Sequence, residues 1–489
     1  MPPTRSILSR FKTELLGQLV AAVSGALLLV GLARFLEPDA YGLLFFSISI
    51  FTILMVLTKL GIARSAGRYL SEYKETDPSQ IPHIVRTSLL LNAITITIGA
   101  VGLLIGHQLL AEFVDEPDLA PFLLLGVLYV VFGTLTKYVR LVLQGFEAIE
   151  SAAVVHGINR GGRLVFSIGL VLASYGAVGA LGGYILGYVV ATVIGFVLVY
   201  TRHYRPRVTD EPPEPGLRRR LAEYTVPLTA TSTATVIEKQ VDTVLIGFFL
   251  TPVAVGYYTI SKQAIEFLEK PMTALGFTLS PTFGAEKADG NLEHARDLFE
   301  VAVTNSLLIY VPAAAGLVLV SDPMIRFVFG PDYVGAVPVL QIFSAYIVLR
   351  AIMNIAGHAL DFLGRARDRA IAKGLTATLN FGLNVALIPV IGIAGAAITT
   401  VLTHGIYTVF NVYLIHVELE LRLVALLSTL TRIVAITGVM SVVVFVSLEF
   451  ITGLFTLLLV VGVGVAVWAV LSVLVGLVDP DDAVSVVTG

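Results

Sequence analysis

Cysteine is absent from the 489 residues, which excludes disulfides, thiol nucleophiles and cysteine metal sites together. Charge is scarce: Asp, Glu, Lys and Arg make up 14% of the chain, against roughly 25% in a soluble domain. Hydrophobic residues make up 56%, leaving too little polar surface to cover the soluble domains that such a length would suggest. No Gly-x-x-x-x-Gly-Lys-Ser/Thr loop occurs, which argues against ATP hydrolysis. The eight histidines show no ligand spacing, and Asp479-Pro480-Asp481 is a chance acidic run in a tail, so no metal or other cofactor is expected. No nucleic-acid partner is expected either.

What the chain does have is apolar runs of the length needed to cross a bilayer, about 20 residues each. Fourteen are expected: 15–36, 41–62, 84–106, 121–143, 151–174, 178–200, 224–250, 254–278, 298–320, 337–357, 370–391, 394–416, 424–447 and 452–477. The first lacks a small-residue cleavage site and reads as a retained span. The fold class is thus an all-α polytopic membrane protein of the cell membrane. Basic residues set its orientation. Arg5, Arg10, Lys12, Arg64, Arg68, Lys74, the arginines of 201–222 and Arg365, Arg367, Arg369 and Lys373 all fall on one side, while 107–120 on the other is acidic. The positive-inside bias then places both termini in the cytoplasm. The largest outer loops, 107–120 and 321–336, are far below the roughly 50 residues of a small domain, so no enzyme activity is expected.

The chain also repeats itself. Phe35-Leu36-Glu37-Pro38-Asp39-Ala40-Tyr41-Gly42 recurs 214 residues on as Phe249-Leu250-Thr251-Pro252-Val253-Ala254-Val255-Gly256. Gly176-Ala177-Val178-Gly179-Ala180 recurs 216 residues on as Gly392-Ile393-Ala394-Gly395-Ala396. The near-constant offset reads as duplication of a six-helix unit. The expected organisation is a six-helix lobe over 1–204, a Pro-rich flexible cytoplasmic linker over 205–222, a second six-helix lobe over 223–418, and a helix pair with an acidic tail over 419–489. An even number of spans gives both lobes the same orientation, an arrangement that suits a transporter rocking about a central site.

Ionisable groups inside a membrane are functional candidates by default. The seventh span carries Glu238, Lys239 and Asp242, the eighth Lys262, Glu266, Glu269 and Lys270. Lys239 and Asp242 fall roughly 22–27 Å along their helix. Mutual neutralisation, with Glu238 paired to Lys262, is the bland alternative to a polar cavity wall. Elsewhere the buried charge is positive: Arg34, Lys59, Lys137, Arg140, Arg160, Arg163 and Arg350, with almost no carboxylate at depth in the first six spans. Arg34, Arg140 and Lys59 lie near interfaces and can snorkel. The candidates to hold a phosphate or pyrophosphate are Arg160, Arg163, Lys239, Lys262, Arg350, Lys59 and Arg34, since arginine offers bidentate geometry to such anions. Glu238, Asp242 and Glu266 are candidates to couple transport to a proton or sodium ion. Asn159, Asn354 and Asn380 are candidate sugar contacts, although amides at depth also serve helix-to-helix hydrogen bonds, as do Asn92 and Asn384. Gly179, Gly183 and Gly187 give one smooth packing face. The stretches 64–82 and 282–297 read as short helices along the inner interface.

Phe35-Leu36-x-Pro38-x-x-Tyr41-Gly42, Val255-Gly256-Tyr257-Tyr258 followed by Lys262, Phe329-Gly330-Pro331-Asp332-Tyr333 with Ala336 and Leu340, and Asn384 through Pro389 followed by Gly392 and Gly395-Ala396 stand in order along the chain. In this series the chain resembles the polysaccharide-biosynthesis flippases of the multidrug/oligosaccharidyl-lipid/polysaccharide exporter superfamily, over about residues 10–415. The resemblance implies a flippase that moves polyprenyl-phosphate- or pyrophosphate-linked oligosaccharide to the outer leaflet, with glycan-assembly enzymes as partners. It also implies two lobes around a positively charged cavity, a groove for the lipid tail near the last helices, and Lys262 at the family's basic position in the eighth span. A flippase for the peptidoglycan precursor and a multidrug or cation antiporter are the alternatives; the lack of deep carboxylate in the first lobe counts against cationic cargo.

Overall fold

The computed structural model describes residues 23–207, 211–269 and 291–478. The expected basic N-terminus, Lys270, most of the stretch 282–297 and the acidic tail therefore lie outside the described residues. All regular structure within them is helical. The helices are α1 (Val23–Phe35), α2 (Pro38–Lys59), α3 (Ile62–Thr76), α4 (Ile81–Phe113), α5 (Leu119–Gly145), α6 (Ile149–Leu170), α7 (Gly176–Val199), α8 (Leu217–Phe249) and α9 (Pro252–Leu268). They continue as α10 (Leu292–Met324), α11 (Val337–Phe362), α12 (Ala366–Ile391), α13 (Ile393–Leu419), α14 (Leu423–Ser447) and α15 (Leu454–Leu474).

Among the described residues, 10 helical segments are long and apolar enough to cross a membrane. The chain is a multi-pass membrane protein. One of the 10, Ile149–Arg207, runs for 59 residues, far more than one bilayer requires. It is broken where Ser174 has φ 68° and Gly176 has φ 54°, ψ −146°, so α6 and α7 fold back on each other. The second copy of this glycine turn has the same backbone: Gly392, between α12 and α13, has φ 65° and ψ −149°. That left-handed region is open to glycine at no steric cost. The repeat read from sequence is thus a repeat of backbone conformation.

Two compact units divide the chain, Met1–Gly256 and Tyr257–Gly489. In the first, the two copies of the other repeated motif meet. A Cβ added to Gly42 would lie 1.7 Å from the Pro252 carbonyl oxygen, and one added to Gly256 would lie 2.8 Å from the Pro38 carbonyl oxygen. The contact is reciprocal, as an approximate two-fold relation between like helix ends requires. Helix α8 joins this unit along α2: Gly247 gives room to the Phe46 ring, and Ser65 Oγ donates to the Leu221 carbonyl at 3.0 Å.

The α6–α7 hairpin depends on the glycine stripe. A Cβ at Gly183 would meet the Ser167 backbone nitrogen at 2.2 Å, and one at Gly187 the Arg163 nitrogen at 2.9 Å. Ser167 Oγ donates to the Ala180 carbonyl at 2.9 Å across the same seam. Polar steps tie the neighbouring helices: Asn92 Nδ2 donates to the Thr58 carbonyl at 3.0 Å, Thr58 shares a 2.8 Å hydrogen bond with Thr134, and Thr136 another with Thr192.

Within the Pro-rich linker, Glu211 and Glu214 are held to neighbouring helices. The Glu214 amide donates to Gln80 Oε1 at 2.8 Å, and His83 Nε2 is 2.8 Å from the Glu211 carbonyl. The Glu214 carboxylate takes the Tyr73 hydroxyl and lies 2.8 Å from Arg220. Those two partners, Tyr73 first, hold its carboxyl below the usual carboxylate range. Prolines remove amide donors, but the residues between them keep theirs, and the loop uses them.

In the second unit, α10 packs on α11 and α14, and α11 on α13. Tyr346 of α11 and His404 of α13 meet edge to face at 4.9 Å. One end of the unit is tied by ion pairs: Arg422 bonds Glu300 through its amide at 2.7 Å and its Nε at 2.8 Å, and Arg365 Nε lies 2.6 Å from Glu418.

A side chain at the Gly42–Gly256 contact must push backbone aside. Gly42→Val and Gly256→Val are each expected to lower the melting temperature of the detergent-purified protein by several degrees, since overpacking costs roughly 1–3 kcal/mol. Gly102→Val, where the added carbon meets nothing within 4 Å, is the matched control and is expected to melt like the parent.

Candidate functional site: a carboxylate-free cation cluster

Helix α6 places His156, Asn159, Arg160 and Arg163 at helical spacing along one stripe. Helix α5 brings Lys137 and Arg140, and α2 ends on Lys59. These charges act on one another: Lys59 feels Lys137 and Arg163, Arg160 feels Arg163, and His156 feels Arg140, Arg160, Lys137 and Arg163. Arg140 Nη1 and His156 Nδ1 are 3.0 Å apart. No carboxylate answers them along the helices that carry them: α5 and α7 contain none, α2 has Asp39 in its first turn only, and α6 has Glu150 in its first turn only. Among the described residues Lys59, Lys137, Arg160 and Arg163 make no salt bridge.

Aromatic rings take the place of counter-ions. The Arg163 guanidinium carbon sits 4.1 Å from the Tyr188 ring centre and 4.9 Å from that of Tyr184. Tyr129 closes the group, perpendicular to Tyr188 at 5.1 Å. The ring face is electron-rich and attracts a cation, by about 2 kcal/mol when desolvated. Gly187 makes the arrangement possible, because its bare Cα lets the Arg163 stem lie against α7. Arg163 is 8% exposed, whereas Arg160 is exposed. Two buried donors in the cluster, Arg163 Nε and Asn159 Nδ2, have no acceptor among the described residues. Buried donors in native proteins are nearly always satisfied, by the chain, by ordered water or by a ligand, so an acceptor at this spot would find two donors.

The remaining expected residues are dispersed. Arg34 is exposed near the end of α1. On α8, Asp242 is buried, Glu238 half-buried and Lys239 exposed. In the second unit Lys262 is half-buried with its Nζ 5.9 Å from the Tyr258 ring centre, and Glu266 is exposed. Arg350 holds Glu269 in a bidentate pair, at 3.0 and 2.9 Å. Asn380 Nδ2 donates to Thr403 at 3.2 Å and its Oδ1 accepts from Asn384 at 3.0 Å, which commits the side chain to joining α12 with α13. Asn354 Oδ1 is buried without a hydrogen-bond partner among the described residues. Sequence reasoning did not find the tyrosine cradle; its signal was two tyrosines four residues apart, Tyr184 and Tyr188, facing an α6 rich in arginine. It also set Arg140 aside as an interfacial residue.

If the ring faces hold Arg163, removing them costs stability even when bulk is kept. Tyr188→Leu is expected to lose about 1–2 kcal/mol, read as a lower melting temperature, and Tyr188→Phe to lose clearly less. Equal melting of Tyr188→Leu and the parent would show that the cradle does not hold the guanidinium.

Known proteins share both sequence and fold with this chain. It is 24% identical over 386 residues, 78% of its length and 77% of the relative's, to the probable low-salt glycan biosynthesis flippase Agl15 of Haloferax volcanii. It is 26% identical over 339 residues, 67% of its length and 64% of the relative's, to the lipopolysaccharide biosynthesis protein WzxC of Escherichia coli. The structure of the lipid II flippase MurJ in an inward closed conformation superposes with TM-score 0.74, covering 94% of this chain and 97% of that one at 15% identity, which shows a common fold. An inward-facing multidrug resistance MATE transporter of the MOP superfamily gives TM-score 0.69 at 14% identity, covering 84% of this chain and 96% of that one. The family profile described as polysaccharide biosynthesis protein matches residues 13–284, and with the motif series and the fold in agreement, this chain belongs to that family.

Proposed function

We propose that the protein is a flippase that carries polyprenyl-phosphate- or pyrophosphate-linked oligosaccharide from the inner to the outer leaflet by alternating access, for assembly of a cell-surface glycan. The observation that carries the reading is the cation cluster: several positive groups, no carboxylate, and two buried donors awaiting an acceptor. A phosphate in hydrocarbon meets a cost of several kcal/mol for each unpaired polar group. Arginine forks and lysines remove that cost for the headgroup while the prenyl tail stays in lipid. Within this reading Arg160 touches the phosphate from its exposed position, Lys59 and Lys137 attract it, and Arg163 supplies field from its tyrosine cradle. Agl15, WzxC and AglR of Haloferax volcanii, the last named a probable flippase, support the same class of cargo by kinship.

Fourteen spans with both termini inside are part of the proposal. Dividing Ile149–Arg207 in two and adding α1, α8 and α9 to the apolar segments gives that count, and the basic residues of 201–222 and 365–373 favour that orientation. The remaining roles proposed from sequence follow: Lys239, Lys262 and Arg34 as further cations on the headgroup's route, Glu238, Asp242 and Glu266 as sites for a coupling proton or sodium ion, and Asn159 and Asn354 as sugar contacts. A cationic-drug exporter would need carboxylates where this cluster has cations.

Reconstituted protein given a fluorescent prenyl-diphosphate-linked glycan is expected to move it across the vesicle membrane. Arg160→Ala is expected to slow the initial rate by about 10-fold or more, since a hydrogen bond to a charged group is worth about 1.5–3 kcal/mol, and Arg163→Ala, which removes field without a direct contact, is expected to slow it less. Transport at the parental rate by both variants, with equal protein in the vesicles, would overturn the site assignment.

A further inference from the structure

We infer that Arg64 is a further contact for the phosphorylated headgroup, presented by α3 at the level of Lys137 and joined through it to the cation cluster. The inference rests on the flippase reading above and adds to it a residue, and a helix, that neither spacing nor kinship assigns to the site.

In the sequence Arg64 groups with Arg68 and Lys74 as basic residues beyond the second span. The backbone gives it another place. Leu60 (φ 38°, ψ 30°) and Gly61 (φ 68°, ψ 0°) turn the chain at the end of α2, and α3 starts at once with Ile62. An added Cβ at Gly67 would lie 2.9 Å from the Leu141 carbonyl oxygen, and one at Gly145 would lie 2.5 Å from the Gly67 carbonyl oxygen, so α3 and α5 touch backbone to backbone. Further on, Lys74 Nζ is 2.9 Å from the Glu147 carboxylate. Both contacts advance in the same sense along the chain, so the two helices run parallel. Counting back 10 residues from the second contact reaches Arg64 on α3 and Lys137 on α5, roughly 15 Å of helix in each. The two cations are therefore level. Lys137 accordingly feels two charges, Arg140 of its own helix and Arg64.

The rest of α3 is committed to packing. Ala63, Ala66 and Leu70 are buried, and Ser65 Oγ donates to the Leu221 carbonyl at 3.0 Å. Arg68, one turn on from Arg64, sets its guanidinium carbon 4.2 Å from the Tyr224 ring centre. The carboxylates of α3, Glu72 and Glu75, stand two turns or more beyond Arg64, and Glu75 lies 3.8 Å from Lys74. Arg64 itself is exposed. An exposed guanidinium offers a phosphate its two-point fork. A diphosphate that meets Arg64 and Lys137 together also relieves their mutual repulsion, so the pair draws it more strongly than either cation alone.

The test reconstitutes the full-length protein in phosphatidylcholine vesicles and follows the initial rate against the density of a fluorescent prenyl-diphosphate-linked glycan, at low and at high salt. Arg64→Ala is expected to raise the half-saturating density about 5-fold at low salt, as one charge about 10 Å from a diphosphate predicts, with the maximal rate within about 2-fold of the parent. The difference is expected to shrink below about 2-fold near 1 M salt, where the screening length is about 3 Å. Arg86→Ala, at an exposed position on α4, is expected to saturate like the parent. The chain has no cysteine, so Arg64→Cys offers a single thiol on one folded protein. A cationic methanethiosulfonate is expected to bring its saturation back towards the parent, an anionic one to weaken it further, and substrate to slow both reactions. Parental saturation by Arg64→Ala, a loss equal at both salts, or equal effects of the two reagents would overturn the contact while the parent's own transport leaves the flippase reading intact. A loss seen only when phosphatidylglycerol is added would also overturn it, assigning Arg64 to bulk anionic lipid. Absence of transport by the parent would overturn both.

Discussion

Like charges brought together away from water repel, and that repulsion is the constraint around which the first compact unit is arranged. Lys59, Lys137, Arg160 and Arg163 act on one another and make no salt bridge among the described residues. Coulomb energy between unit charges grows several-fold as the surroundings change from water to protein interior, so the cluster persists only where something other than a side-chain anion compensates. The tyrosine faces around Arg163 do part of this. Arg163 Nε and Asn159 Nδ2 find no acceptor among the described residues. Under the proposed function such a site receives an anionic visitor, and the visitor's departure restores the repulsion. Tight capture and ready release are both needed by a carrier, and the same imbalance supplies each.

The geometry that holds this imbalance is backbone-deep. Gly183 and Gly187 bring α7 against α6 at distances no side chain permits, which fixes the height of Arg163 relative to Tyr184 and Tyr188. The repeated motifs make the point by contrast. The turn at Gly176 and the turn at Gly392 share one conformation, yet the α12 positions 216 residues beyond His156, Arg160 and Arg163 are Ala372, Thr376 and Leu379. The turn conformation recurs at both places and the charge at one. In the second unit, Arg350 comes with its own carboxylate. The two units therefore handle cations differently: one sets Arg163 against rings, the other pairs Arg350 with a carboxylate.

Much of this was legible in the sequence because membrane helices write their periodicity plainly. The apolar runs, the two repeated motifs, the glycine stripe at 179, 183 and 187 and the excess of cations on α6 all rest on one-dimensional spacing. What escaped was pairing in three dimensions. Tyr129, Tyr184 and Tyr188 sit on two helices and read as ordinary apolar positions until the hairpin brings them to Arg163. Arg350 and Glu269 are 81 residues apart, so nothing local marks them as partners. Asn380 was legible only as a polar group at depth; its commitment to Thr403 depends on how α12 meets α13. The linker is legible only in part for a related reason: its prolines announce the loss of local hydrogen bonds, while the partners that hold it, Gln80, His83 and Tyr73, stand on distant elements.

The central claim is that the cluster on α2, α5 and α6 receives a phosphorylated lipid headgroup. A structure of the full-length protein with a prenyl diphosphate bound tests it most directly. The account expects diphosphate oxygens within hydrogen-bond distance of the Arg160 guanidinium, with Lys59 or Lys137 facing the same group. A diphosphate bound elsewhere, with the cluster filled only by water or closed by a carboxylate of the chain, would contradict it.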